Sequence, residues 1–171
     1  VVLASATAIG GGTLRDVMLD VPVFWIADTD YLYTTLIAAF VPIIWLRISP
    51  RFPFHYLLIA DAFGLALFNV VGIEKALAND TGIAVAVAMG TITGVFGGLL
   101  RDVICREVPL VLNGELYAMT CIAGGIVYGI ALEFDLATQW CGIAALATTV
   151  LFRLGAMRWH WQLPVFYNDH H

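Results

Sequence analysis

Six long apolar runs separated by short polar breaks make up most of the chain: A (1–19), B (31–46), C (54–77), D (81–105), E (116–132) and F (138–157). A helix crosses the hydrocarbon core of a bilayer with about 20 mostly apolar residues, and these runs, some with their flanks, meet that length. The breaks carry turn chemistry. Asp28-Thr29-Asp30 follows A, Arg47 to Pro53 follows B, Asn79-Asp80 follows C, Asn113-Gly114 precedes E, and Glu133 with Asp135 precedes F. No run alternates apolar and polar residues as a barrel strand would, so backbone satisfaction in lipid predicts helices. Trp25, Trp45, Trp140, Trp159 and Trp161 stand near run ends, as expected of an interfacial aromatic belt.

Composition sharpens this picture. Of 171 residues, 61% are hydrophobic and only 12% charged, against about 25% charged in soluble domains. Too few charges are present to coat a globule, which excludes a soluble enzyme domain and a disordered chain. The formal charge of −5 excludes a basic footprint for nucleic acid. Cys105, Cys121 and Cys141 lack C-x-x-C spacing and read as small core residues. The chain opens on an apolar run without a basic leader, so no signal peptide is expected. His170 and His171 beside Asp169 read as a tag remnant without a metal role. H-E-x-x-H, G-x-S-x-G and P-loop motifs are lacking from the sequence, which predicts neither an enzyme nor a cofactor.

Charge asymmetry gives an orientation. Six alternating spans put Arg47, Arg51, Arg106 and Arg158 on one side, against Lys75 and six flanking carboxylates on the other. The positive-inside rule makes the first side, and with it the C-terminus, cytoplasmic.

Sliding the chain against itself by 86 residues gives a strong internal match. Thr7, Gly11, Gly12, Leu14, Arg15, Asp16 and Val17 fall on Thr93, Gly97, Gly98, Leu100, Arg101, Asp102 and Val103. Tyr31 and Thr34 then fall on Tyr117 and Thr120, so A–B matches D–E. Span C precedes D, and its counterpart would precede A, which predicts one further N-terminal helix missing from this chain. The expected fold class is an all-α integral membrane protein: one transmembrane domain built as an inverted 3+3 helix repeat plus a seventh helix. Residues 1–49 are the remainder of the first repeat, 54–132 the second, and 138–157 the last helix. An odd number of spans per repeat inverts the copies, a transporter and channel design with its site near the midplane.

On D, Gly90, Gly94, Gly97, Gly98 and Arg101 share one helix face, matched on A by Ala4, Ala8, Gly11, Gly12 and Arg15. Small faces let helices pack closely. Alternatively, Gly10, Gly11, Gly12, Gly97 and Gly98 break both helices and free carbonyls as cation ligands. Their pairing at matching sites favours the breaks, with transient potassium at the carbonyls near Gly11 and Gly97 and no tight metal site. Arg15-Asp16 and Arg101-Asp102 read either as interfacial anchors or as charged mouths of a wet path. Asp61 and Asn69 on C join Thr7 and Thr93 as candidate lining residues, unless Asp61 only reaches headgroups or a partner Arg. Arg153, deep in F, is expected to bind lipid or a neighbouring helix.

The doubled G-G-x-L-R-D-V motif, the stretch from Ala60 to Phe68 (A-D-A-F-G-L-A-L-F) and the 3+3+1 layout resemble the bacterial branch of the trimeric intracellular cation (TRIC) channel family. That branch is also described as a glycine-transporter-type domain. The resemblance runs from Val1 to about Met157. It implies a homotrimer with one hourglass pore per protomer, lined by A and D kinked at their glycines, and passing monovalent cations, potassium foremost. It carries over onto Gly10, Gly11, Gly12, Arg15 and Asp16, and onto Gly97, Gly98, Arg101 and Asp102. The expected function is a passive potassium, or potassium and sodium, channel of a prokaryotic inner membrane, with lipids and its own copies as partners. The alternative is a secondary transporter for a small zwitterion such as glycine.

Overall fold

The computed structural model describes residues 2–48, 54–112, 116–159 and 161. Seven helices account for most of these: α1 (Val2–Met18), α2 (Phe24–Ala27), α3 (Asp30–Ile48), α4 (Phe54–Leu77), α5 (Ile83–Cys105), α6 (Tyr117–Glu133) and α7 (Thr138–Trp159). Runs A to F correspond to α1, α3, α4, α5, α6 and α7 within two residues at every end. The single turn of α2 and a 3-10 turn at Leu110–Leu112 were not anticipated. By length and composition, α5 and α7 are each apolar enough to cross a membrane. Arg51, Asn113, Gly114 and the histidines of the tail lie outside the described residues.

Four helices end in the same way. Asp20, Asp80, Arg106 and Asp135 take φ of 54°, 57°, 59° and 53°. The next residue donates its N–H five residues back, Val21 to the Asp16 carbonyl and Glu107 to that of Asp102, as do Thr81 to Ala76 and Leu136 to Ala131. This is the Schellman closure, which satisfies the orphan carbonyls of a helix end. Glycine is the usual occupant of the left-handed position. Aspartate tolerates it through local hydrogen bonding, so the polar breaks in the sequence do the stopping.

The core lies among α4, α5, α6 and α7, where Val70, Ile73, Ala86, Met89, Tyr128, Cys141 and Ala145 are buried together. Its helices approach closely at small residues. A methyl on Gly72 would lie 2.7 Å from the Gly90 Cα, and one on Gly94 2.9 Å from the Leu65 carbonyl oxygen. Cys121 and Cys141 are fully buried free thiols, as expected, whereas Cys105, expected in the core with them, is exposed at the end of α5. Against this block packs α1, chiefly on α5, while among the described residues α3 packs on α1 and α2 and leaves Tyr33, Ile37 and Phe40 exposed.

Candidate functional site: the α1–α5 crossing and its two ends

The glycines expected to break α1 and α5 do not. Both helices run unbroken, α1 through Gly10, Gly11 and Gly12 and α5 through Gly97 and Gly98. The carbonyls near Gly11 and Gly97 therefore stay within continuous helical ladders, and the paired-break reading is corrected to close packing. The reason lies in what faces each glycine. A methyl on Gly11 would run into the Thr93 carbonyl oxygen, and one on Gly97 would lie 2.5 Å from the Thr7 carbonyl oxygen. Glycine is present because another backbone occupies the space of a side chain.

These contacts are reciprocal, since Thr7 matches Thr93 and Gly11 matches Gly97 in the 86-residue repeat. The two motif helices therefore cross antiparallel at equivalent points. The Thr7 and Thr93 hydroxyls donate back to the Leu3 and Met89 carbonyls at 2.8 and 2.6 Å. Each arginine lies six residues beyond the centre of the crossing, about 9 Å along its helix, on opposite ends.

At each end the same clasp forms. Arg15 Nε donates to Asp16 Oδ1 at 2.8 Å, and Asp16 Oδ2 accepts the Phe24 N–H at 2.9 Å. Arg101 Nε donates to Asp102 Oδ1 at 2.9 Å, and Asp102 Oδ2 accepts the Leu110 N–H at 3.1 Å. One carboxylate thus neutralises the arginine beside it and pins the returning chain eight residues later. That pinning explains the helical turns at Phe24 and Leu110, which periodicity alone did not reveal.

Beyond the clasp the ends differ. The Arg15–Asp16 pair is sealed, its side chains 5% and 0% exposed. The Phe24 ring fills the space beside Gly12 and lies 5.9 Å from the guanidinium. At the other end, the space beside Gly98 holds the Tyr117 hydroxyl. That hydroxyl donates to Asp61 Oδ2 at 3.0 Å, while Asp61 Oδ1 accepts from Arg101 Nη1 at 2.9 Å. Here Arg101 keeps 27% of its side chain exposed, and a cavity of about 270 Å³ opens against Asp61, Arg101, Asp102, Cys105 and Glu107, with Leu3 and Leu58 as apolar wall.

Asp61 therefore both pairs with an arginine and lines a cavity. Asn69 does not join it. The Asn69 side chain is fully buried and donates to the Cys121 carbonyl at 3.0 Å, with Thr149 Oγ1 at 3.5 Å, tying α4 to α6 and α7. Its expected lining role is corrected to a structural tie. Arg153 is also buried and lies 4.7 Å over the Tyr117 ring, so its partner is a neighbouring helix. Tyr117 was missed as a site residue, although its match to Tyr31 across the repeat was visible. Among the described residues, no group of three or more His, Cys, Asp and Glu could hold a metal.

The sequence model of a family described as glycine transporter matches residues 1–47 and 58–133. A UPF0126 membrane protein of Vibrio cholerae is 46% identical over 96% of this chain and 70% of its own length. The UPF0126 inner membrane protein YadS of Escherichia coli K12 is 43% identical over 98% of this chain and 82% of its own. A structure of a TRIC cation channel superposes with TM-score 0.86 at 32% identity, covering 98% of this chain and 82% of that one. The chain belongs to this TRIC-type family. A TRIC trimeric intracellular cation channel orthologue from Rhodobacter sphaeroides agrees, with TM-score 0.83, 34% identity and 91% and 80% of the two chains covered. The fold is thus the all-helical membrane fold of the TRIC proteins, and the similar structures are channels rather than enzymes.

Proposed function

We propose that the chain forms a passive channel for monovalent cations, potassium first and sodium second, assembled as a homotrimer with one hourglass pore per protomer. What carries the reading is the reciprocal α1–α5 crossing with a charged clasp at each end, in a chain similar to TRIC cation channels over nearly its whole length. The crossing is the constriction; the cavity at Asp61 is the open mouth, and the sealed Arg15–Asp16 pair closes the opposite end. The matching clasps on antiparallel helices support an inverted repeat. Similarity to YadS supports an inner-membrane location, and the lysine and arginine distribution supports a cytoplasmic C-terminus. Lipid contacts fall to the exposed apolar residues of α3.

A secondary transporter for glycine is the second reading, favoured by the family's description and by the shut crossing. Potassium release from proteoliposomes separates the two. A channel releases trapped potassium without saturation and ignores external glycine. Saturable glycine uptake, competed by unlabelled glycine and without free potassium flux, would establish the transporter instead.

A further inference from the structure

A cation path that runs past an arginine meets a repulsive charge, and the two ends of the crossing handle this differently. Arg15 is shut away from water. Arg101 faces the cavity, and Asp102 holds only its Nε, with the second Asp102 oxygen on the Leu110 N–H. The second restraint comes from another helix. Asp61 on α4 takes Arg101 Nη1 with one oxygen and the Tyr117 hydroxyl with the other. Tyr117 is itself buried beneath the Arg153 guanidinium.

We infer that Asp61 is the specificity-determining residue of this mouth: it draws the Arg101 guanidinium against the wall and offsets its charge, so that the cavity accepts cations. The inference rests on reading the cavity as a channel mouth. Around the cavity, Asp61, Asp102 and Glu107 face a single guanidinium, a formal −2 among the lining residues. Removing the Asp61 charge halves that excess and leaves Arg101 Nη1 without its carboxylate. The Tyr117 hydroxyl occupies the other Asp61 oxygen without adding charge.

Cys105 lines the same cavity and is exposed, whereas Cys121 and Cys141 are buried, so a water-soluble thiol reagent reads the potential there directly. The thiolate attacks the sulfenyl sulfur of a methanethiosulfonate and expels methanesulfinate, leaving a mixed disulfide. The test compares rate constants at Cys105 for a trimethylammonium reagent and a sulfonate reagent, normalised to a small free thiol, with the full chain in liposomes. In the unaltered protein the cationic reagent is favoured at low salt, and the preference decays toward unity at 1 M KCl as the charges are screened. Asp61→Asn lowers the ratio by on the order of three- to tenfold at low salt, and Asp61→Glu retains it. Arg101→Gln raises it, and the double variant with Asp61→Asn returns it to the starting value.

Loosened packing alone would speed or slow both reagents together and leave the ratio fixed. Tyr117→Phe, which keeps every charge, should change the ratio little. An unaltered protein with a ratio of one, an Asp61→Asn ratio equal to the unaltered one, or an equal fall in Tyr117→Phe would each overturn the assignment. The salt dependence needs no variant and stands as a test even if Asp61→Asn fails to fold. Lack of potassium flux with the ratio intact would sink the channel reading alone; flux with a ratio of one would sink this assignment alone.

Discussion

The two copies of the G-G-x-L-R-D-V motif build the same clasp and then part company. In the first, Phe24 fills the space beside Gly12 and the Arg15–Asp16 pair is closed off from water. In the second, a hydroxyl occupies the equivalent space beside Gly98, a second carboxylate reaches in from α4, and a cavity opens. The shared part is structural, because each aspartate closes its helix end and pins the returning chain. The part that differs is set by which residue fills the gap beside the second glycine: an apolar ring seals, and a hydroxyl recruits more polar chemistry.

Breaking the clasps should cost unequally. Asp16→Ala leaves a buried arginine without its carboxylate and is expected to destabilise the protein by about 3–5 kcal/mol. Asp102→Ala should cost about half as much, because Arg101 keeps Asp61 and partial access to water. Thermal unfolding of both variants in the same detergent checks this, and equal losses would erase the distinction between the ends. The crossing itself should behave symmetrically. Gly11→Ala and Gly97→Ala each force two backbones apart and are expected to cost about 1–3 kcal/mol apiece, within error of each other, measured the same way. Salt sharpens the contrast more gently. Moving from 0.1 to 1 M KCl should leave the Asp16→Ala deficit unchanged and shrink that of Asp102→Ala, since only the second pair is open to screening. The smallest effect lies at the helix ends. Asp20→Gly and Arg106→Gly occupy equivalent left-handed positions and should each stabilise by up to about 1 kcal/mol, visible as a small rise in melting temperature.

Run lengths and turn residues placed six helices closely, because lipid-length apolar runs and Asn/Asp breaks are local signals. The repeat was equally legible, since the matched residues needed no structure to align. The role of its glycines was not. A glycine cluster lowers helix propensity and also permits close approach, and only the facing Thr7 and Thr93 carbonyls decide between these. Asn69 lies on the same face of α4 as Asp61 in sequence, yet its hydrogen bond to the Cys121 carbonyl, 52 positions away, commits it to the core. Tyr117 and Phe24 acquire their roles from what fills the space beside Gly98 and Gly12, a tertiary fact with no periodic signature.

Current through single channels, recorded from the purified protein in a planar bilayer under a tenfold KCl gradient, tests the central claim most directly. Unitary currents that reverse near the potassium equilibrium potential are expected. No unitary current, or currents that reverse near zero or toward the chloride potential, would contradict the account of the α1–α5 crossing as a cation path.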